Sequence, residues 1–312
     1  MSRPPPTARV LLRPGTLWGQ TLRRARSALD SGALQPIATE RRTLDDAGVR
    51  FVVRSVSSLA AKDAARRAAT GAAGVPRNPF LPYEPALWVA TLTPTHVALL
   101  NKFSVIDHHL LIVTRRFEPQ ETLLGADDFL ALAACLREID GLSFYNGGAA
   151  AGASQPHKHL QLVALPLGDG SAAVPIEPVF AAVRERTGPC VVPGLPFRHG
   201  FAWCDEAGVA DVAATAQALR ARYEALLAAV GVHGVPGSDG ARQSAPYNLL
   251  ATRRWMLLVP RAQECFETLS VNALAYAGAL FVRSDAELEI LRRTGPMQVL
   301  RAVAVAPAGV EP

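Results

Sequence analysis

The stretch Gly152-Ala153-Ser154-Gln155-Pro156-His157-Lys158-His159-Leu160-Gln161-Leu162 carries more chemistry than any other part of this chain. Small residues and a proline open it, and alternating polar and apolar side chains close it. A β-strand is expected from His157 to Leu165. Its period of two places His157, His159 and Gln161 on one face, with Lys158 and Leu160 on the other. The glycine- and alanine-rich loop before it, Gly147 to Pro156, brings backbone N–H groups within reach of anionic oxygens.

Two imidazoles and an amide in one row suit transfer at phosphorus. A neutral imidazole attacks an activated phosphorus and leaves readily from the product. One of its ring nitrogens must be free and the other hydrogen-bonded, so that the tautomer is fixed. A second imidazole one strand step away can bond to the phosphate or to the leaving oxygen. An amide at the next step stabilises non-bridging oxygens without titrating. One of His157 and His159 is the candidate nucleophile, with the other and Gln161 as its catalytic neighbours. Three other readings fit the same pattern. The two histidines could be zinc ligands, with Asp107, His108 or His109 as a third. They could be a purely structural pair, or they could bind a nucleotide without turnover.

Working outward, Leu87–Leu92, His96–Lys102 and His108–Arg115 are short apolar runs at turn-sized spacing, which predicts an antiparallel meander. Asp127 or Asp128 is expected to cap a helix reaching about Ile139. Leu142–Asn146 follows as a strand. Thr16 to Leu29 has helical spacing, Phe51–Arg54 reads as a strand, and residues 63–79 read as a surface loop with a helical turn. Beyond His157–Leu165 the segment Gly168–Pro193 is rich in Gly, Pro and Ala. It divides the chain into an N-terminal half, 15–167, and a C-terminal half, 194–312. The second half is expected to hold a strand at Phe197–Trp203, a helix from Asp211 to about Val230, and a hairpin of Tyr247–Thr252 with Trp255–Arg261. A last helix is expected from Ser284 or Asp285 to about Gly295. Arg253-Arg254 is poor chemistry for a tight primed turn. With no βαβ rhythm, the fold class is α+β with mainly antiparallel sheet and flanking helices.

Composition sets the partner class. The 312 residues carry a formal net charge of +5, with a hydrophobic content of 49%. That excludes a disordered or fibrous chain. The basic excess is dispersed rather than gathered in an aromatic-flanked stripe, which favours small anionic substrates over nucleic acid. Lys62, Lys102 and Lys158 are the only lysines among 32 basic residues, so each is a candidate for a site. Cys135, Cys190, Cys204 and Cys265 are widely spaced without a CxxC, as in reduced, buried thiols. No apolar run approaches the ~18 residues of a membrane span. A cytoplasmic protein, monomeric or a small homo-oligomer, is expected.

The central block resembles the signature of the ATP adenylyltransferases, also called diadenosine tetraphosphate phosphorylases, a transferase branch of the histidine-triad superfamily. Leu100-Asn101-Lys102-Phe103 with His109–Thr114 resembles the two strands before that family's site. Phe144-Tyr145-Asn146-Gly147-Gly148 resembles its substrate-binding strand. Pro246–Leu250, Trp255-Met256 and Val259-Pro260-Arg261 resemble its C-terminal half. The resemblance implies a histidine-triad-like fold and an adenylyl-His159 intermediate, formed from diadenosine tetraphosphate with release of ATP and discharged by inorganic phosphate as ADP. His157 would help position that histidine or the phosphate, and Gln161 stands where hydrolytic members carry a third histidine.

The same resemblance implies that Ser154 and Gln155, with the backbone of Gly152 and Ala153, hold phosphates. Asn146 would lie at the nucleotide. Asn101, Lys102 and Lys62 would reach the anion. Asn248, Met256 and Arg261 would close over the second nucleoside. For Met256 a core position, and for Arg261 a rim charge, are the alternatives. No tightly bound cofactor is implied; magnesium is expected only in company with the polyphosphate. A sugar-nucleotide uridylyl- or guanylyltransferase shares the H-x-H-x-Q pattern and stands as the alternative substrate class. A zinc-binding hydrolase is the alternative of another class.

Overall fold

The computed structural model describes residues 9–55, 78–170, 172–204, 211–237 and 240–307. Lys62 and most of the loop expected at 63–79 lie outside these residues. The first helix, α1 (Leu17–Asp30), buries Leu17, Thr21, Ala25 and Ala28 along one stripe, as the apolar spacing requires.

A hairpin follows that the sequence reading did not find whole. β1 (Glu40–Asp46) pairs with β2 (Val49–Ser55) through the two-residue turn Ala47-Gly48. Both turn residues have positive φ, 48° and 76°, the geometry that matches strand twist in a tight hairpin. β1 is polar apart from Leu44 and its pattern carries no alternation, so only Phe51–Arg54 of its partner was legible.

Among the described residues, the main sheet has eight antiparallel strands. They are β3 (Trp88–Thr91), β4 (His96–Leu100), β5 (Leu110–Thr114), β6 (Gly141–Gly147), β7 (His159–Ala164), β8 (Gly200–Trp203), β9 (Tyr247–Ala251) and β10 (Trp255–Pro260). Their order across the sheet is β3-β4-β5-β7-β6-β9-β10-β8. The expected meander is present as β3-β4-β5. The two parts of the chain meet where β6 pairs with β9, with Asn146 opposite Asn248. The sheet therefore runs unbroken through both.

One face of the sheet is covered by α1, α2 (Ala126–Glu138) and α3 (Val212–Val230), which close a core around Ile112, Leu160, Leu162, Tyr145, Leu249 and Leu258. The other face is split. Over β9 and β10 it is covered by β2 and by α4 (Ala273–Tyr276), β11 (Ala279–Val282), α5 (Asp285–Thr294) and α6 (Pro296–Val303). Over β4 and β5 it meets, among the described residues, the small cluster of Phe80 with Val97, Leu99, Leu111 and Val113. The histidines project between these two coverings.

Two expectations about ends are corrected. The N-cap of α2 is Gly125, and Asp128 sits at the third helical position, its carboxylate accepting the Gly125 N–H at 2.6 Å. The expected strand from His157 starts at His159, while His157 makes an isolated bridge to Pro119. The Arg253-Arg254 turn closes without positive φ, because the Thr252 hydroxyl accepts the N–H groups of Arg254 and Trp255, each at 3.1 Å. Among the described residues, no helix is long and apolar enough to cross a membrane.

Candidate active site

The site is assembled where β7, β6 and β5 present one face. Alternation along β7 sends His159 and Gln161 to this face and Leu160 and Leu162 into the helix-side core, as the sequence pattern requires. The Phe80 ring lies 5.5 Å from the His157 ring and 5.3 Å from the His159 ring, centroid to centroid, so both imidazoles share an apolar neighbour.

His159 Nδ1 lies 2.8 Å from the carbonyl oxygen of His157. A carbonyl can only accept, so Nδ1 carries the proton and Nε2 keeps its lone pair. Burial pushes the ring's pKa down to about 4; the bond to the His157 carbonyl acts upward, and charge on the His157 ring acts downward again. At neutral pH the ring is uncharged, with its proton on Nδ1 and its lone pair on Nε2.

His157 is wholly buried, and both ring nitrogens are occupied. Nε2 lies 2.9 Å from the Thr114 carbonyl oxygen and 2.9 Å from its hydroxyl. That hydroxyl donates to the Arg116 carbonyl, so it accepts from Nε2–H. Nδ1 lies 3.0 Å from the Asn78 side-chain nitrogen. Asn78 Oδ1 is engaged by the Phe80 N–H at 2.9 Å, which turns its NH₂ toward His157. Of the two roles expected for His157, bonding of its ring to a phosphate or leaving oxygen is corrected, since the ring has no free nitrogen; positioning of His159 remains, through the main-chain carbonyl. The same occupancy leaves the ring no lone pair for zinc. Asn78 was not found from the sequence, since an asparagine before a proline reads as a turn former.

Lys158 points away from His159, as strand alternation requires. Its side chain points to the helix face, where Nζ reaches Asp128 at 2.7 Å, the Leu123 carbonyl at 3.1 Å and Glu118 at 3.3 Å. Asp128 in turn meets His96 at 3.1 Å. Burial pushes the Asp128 carboxyl up, but Lys158 and His96 outweigh it and hold it well below the ordinary range. This buried ion cluster ties β7 to β4 and to the start of α2.

His109 is a further member of the site. The sequence reading had weighed it, with Asp107 and His108, only as a zinc ligand. It is buried beside Phe144, its Nδ1 lies 3.2 Å from the Asn101 amide, and its Nε2 has no hydrogen-bond partner among the described residues. Burial first, offset by the nearby Gln161 amide and reinforced by His159, holds its pKa at about 4. His108 instead adopts φ 55° and lies edge-on to Trp18 of α1. Among the described residues, no three His, Cys, Asp or Glu side chains are gathered to hold a metal ion.

The remaining candidates divide. Gly152 has φ +86°, and a Cβ there would stand 2.8 Å from the Val271 carbonyl, so only glycine fits this corner. Ser154 is exposed, and Ala153 and Gln155 are partly exposed, at the mouth of the loop. Asn146 is buried on the histidine face, its Oδ1 accepting from Asn248 and from the Ala273 N–H, each at 2.9 Å. Asn101 is tied to His109, and Lys102 is half-exposed and paired with Glu84 at 2.7 Å.

Three C-terminal assignments change. Met256 is fully buried in the helix-side core, on the face opposite to His159, and cannot reach a nucleoside. Arg261 is 2% exposed and spent on internal partners. It donates to Asn248 Oδ1 at 2.6 Å and to the carbonyls of Val271, Gln263 and Glu264, and it packs on Tyr276. Asn248 is 0% exposed and joins Asn146 to the Ala151 carbonyl at 2.8 Å. Asn248 and Arg261 therefore brace the 149–152 corner from behind rather than cover a ligand. The Arg253 and Arg254 side chains also face the protein: Arg253 donates to the Leu136 and Arg137 carbonyls at the end of α2, and Arg254 pairs with Glu177.

Residues 7–182 match the Ap4A phosphorylase N-terminal domain, and residues 193–306 match the ATP adenylyltransferase C-terminal domain. The chain is similar to diadenosine 5',5'''-P1,P4-tetraphosphate phosphorylase 2 of Saccharomyces cerevisiae, 26% identical over 214 residues that span 62% of this chain and 64% of that protein. It is 25% identical to Protein APA1 of the same yeast over 83% of this chain and 84% of that one. The crystal structure of yeast Ap4A phosphorylase Apa2 superposes with a TM-score of 0.78 at 22% identity, covering 95% of this chain and 99% of that one. The same yeast protein in complex with Ap4A superposes at 0.73. Two domain matches in sequence order, and one fold over nearly the whole length, make this chain a member of the family formed by the Ap4A phosphorylase N-terminal and ATP adenylyltransferase C-terminal domains.

Proposed function

We propose that the chain splits diadenosine tetraphosphate by phosphorolysis, with an adenylyl group carried transiently on His159. Nε2 of His159 attacks the α-phosphorus, the bond from that phosphorus to the bridging oxygen breaks, and ATP departs. An oxygen of inorganic phosphate then attacks the same phosphorus, the P–N bond breaks, and ADP departs. The reverse pair of steps joins ATP to an adenylyl group taken from ADP.

The observation that carries this reading is the fixed tautomer of His159, with Nδ1–H bonded to the His157 carbonyl and the lone pair left on Nε2. Gln161 supports it, because an amide can bond non-bridging oxygens but cannot act as the acid or base that would activate water. The names of the yeast relatives point to the same substrate. Magnesium would arrive with the polyphosphate.

The test is to incubate the protein with diadenosine tetraphosphate and magnesium, with and without inorganic phosphate, and separate the nucleotides. Equal ATP and ADP, formed only with phosphate, is the expected result. ATP and AMP without phosphate would mean a hydrolase. Turnover of a UDP- or GDP-sugar in place of the dinucleotide would move the assignment to the sugar-nucleotide transferases.

A further inference from the structure

The ladder between β6 and β7 ends short of the nucleophile. Its last pair sets Phe144 opposite Gln161. Continued in register it would set Asn146 opposite His159, but the side chain of Gln120 bridges those two main chains instead. Gln120 Oε1 accepts the His159 N–H at 2.9 Å, and its Nε2 donates to the Asn146 carbonyl at 2.9 Å and the His159 carbonyl at 3.2 Å. A primary amide offers the donor and acceptor of a peptide group, and here it occupies the place of one.

Gln120 is itself held in position. It is 1% exposed, its N–H donates to the Pro156 carbonyl at 2.8 Å, and its carbonyl accepts the Tyr145 hydroxyl. The flanking segment is tied down too, since the Lys158 N–H donates to the Glu118 carbonyl at 2.8 Å and Pro119 bridges His157. Main-chain groups buried where two strands part need partners. Gln120 supplies them at the one residue whose direction matters most for attack.

We propose that Gln120 is a positioning residue for the nucleophile. It fixes the main chain of His159 while the His157 carbonyl fixes the ring, so that Nε2 is aimed by two independent restraints. Its link to catalysis rests on the phosphorolysis reading above. Displacing a reacting group by an ångström costs on the order of 100-fold in rate.

The experiment compares wild type, Gln120→Leu and Gln120→Glu as full chains. Leucine removes all three bonds, and glutamate keeps the acceptor but loses both donors. For Gln120→Leu, kcat per folded molecule is expected to fall about 100-fold, with KM for the dinucleotide changed less than about 3-fold. Gln120→Glu is expected to lie between it and wild type. The ring ¹⁵N signals of His159, sharp and of the Nδ1–H tautomer in wild type, are expected to shift or broaden in both variants. Unchanged kcat per folded molecule, or unchanged His159 signals in Gln120→Glu, overturns the proposal. Absence of phosphorolysis in wild type would instead defeat the functional reading, and the ¹⁵N comparison would still decide whether Gln120 orders His159. If Gln120→Leu does not fold, Gln120→Glu carries both readouts.

Discussion

The ring of His159 donates from Nδ1 to the main-chain oxygen of His157, two residues before it, over 2.8 Å. The His157 ring is in turn fastened by Thr114 and Asn78. The two motif histidines are thus arranged in series. One is chemically available, and the other sets its tautomer from the main chain.

Asn78→Leu should therefore damage catalysis without removing the nucleophile. The variant loses the bond to His157 Nδ1 and leaves that nitrogen buried and unpaired, which costs about 1–3 kcal/mol of stability. The expected outcome is a fall in kcat with little change in KM, measured on protein shown by circular dichroism to be folded. Wild-type kcat in this variant would remove Asn78 from the chain of restraint.

Lys158→Met separates an anion-binding role from an anchoring one. Removing the ammonium leaves Asp128 buried without its main partner, and breaking such a pair costs about 3–5 kcal/mol. The midpoint of urea unfolding should drop accordingly, while the KM for inorganic phosphate in the remaining folded enzyme stays at its wild-type value. A large rise in that KM with unchanged stability would place Lys158 at the phosphate instead.

Gly152→Ala tests the corner of the loop. A methyl group would stand 2.8 Å from the Val271 carbonyl, in a residue held at φ +86°. The strained backbone alone costs about 1–3 kcal/mol. The expected result is lowered thermal stability together with weaker dinucleotide binding, measured by calorimetry. Unaltered binding would separate this loop from the substrate.

The acid limb of both activity and stability follows from His159 and His109. Their folded pKa values, about 4, lie below the ordinary 6.5 because burial disfavours the charged form. Between those pH values the unfolded chain binds more protons than the folded one. Stability is then full above pH 6.5 and is lost as pH falls toward 4, on the order of 3 kcal/mol for each ring. The fraction of nucleophilic His159 should fall to half near pH 4. A kcat profile whose acid limb has its midpoint near 6.5 would contradict the burial argument.

What was legible in the sequence was local. Period-two alternation gave the face bearing His159 and Gln161, and turn-sized gaps gave the meander of β3, β4 and β5. The features missed are those set by partners far along the chain. α6 has no side-chain cap of its own, and the Asp46 carboxylate, from the tip of the β1–β2 hairpin, accepts the Met297 N–H at 2.8 Å instead. Pro296 at the first helical position is the one local signal of that start, and the cap itself lies far away in sequence. Strand alternation also sends Lys158 to the face opposite His159, where it joins the buried Asp128 cluster, though nothing local names that partner. Arg261 and Asn248 carry the right chemistry for a ligand, but a buried corner of the loop consumes it. Gln120 was invisible for a different reason. A glutamine that substitutes for a peptide group has no sequence pattern, and only the interrupted ladder reveals it.

The most direct test of the central claim is to trap the covalent intermediate. The protein would be mixed with diadenosine tetraphosphate labelled at the α-phosphorus, in the absence of inorganic phosphate, and denatured in alkali. The account predicts label bound to the protein through an acid-labile bond on the peptide containing His159, absent in His159→Ala, and released as ADP when phosphate is added before denaturation. Phosphorolysis at the full rate with no labelled protein at any time, or label on a residue other than His159, would contradict it.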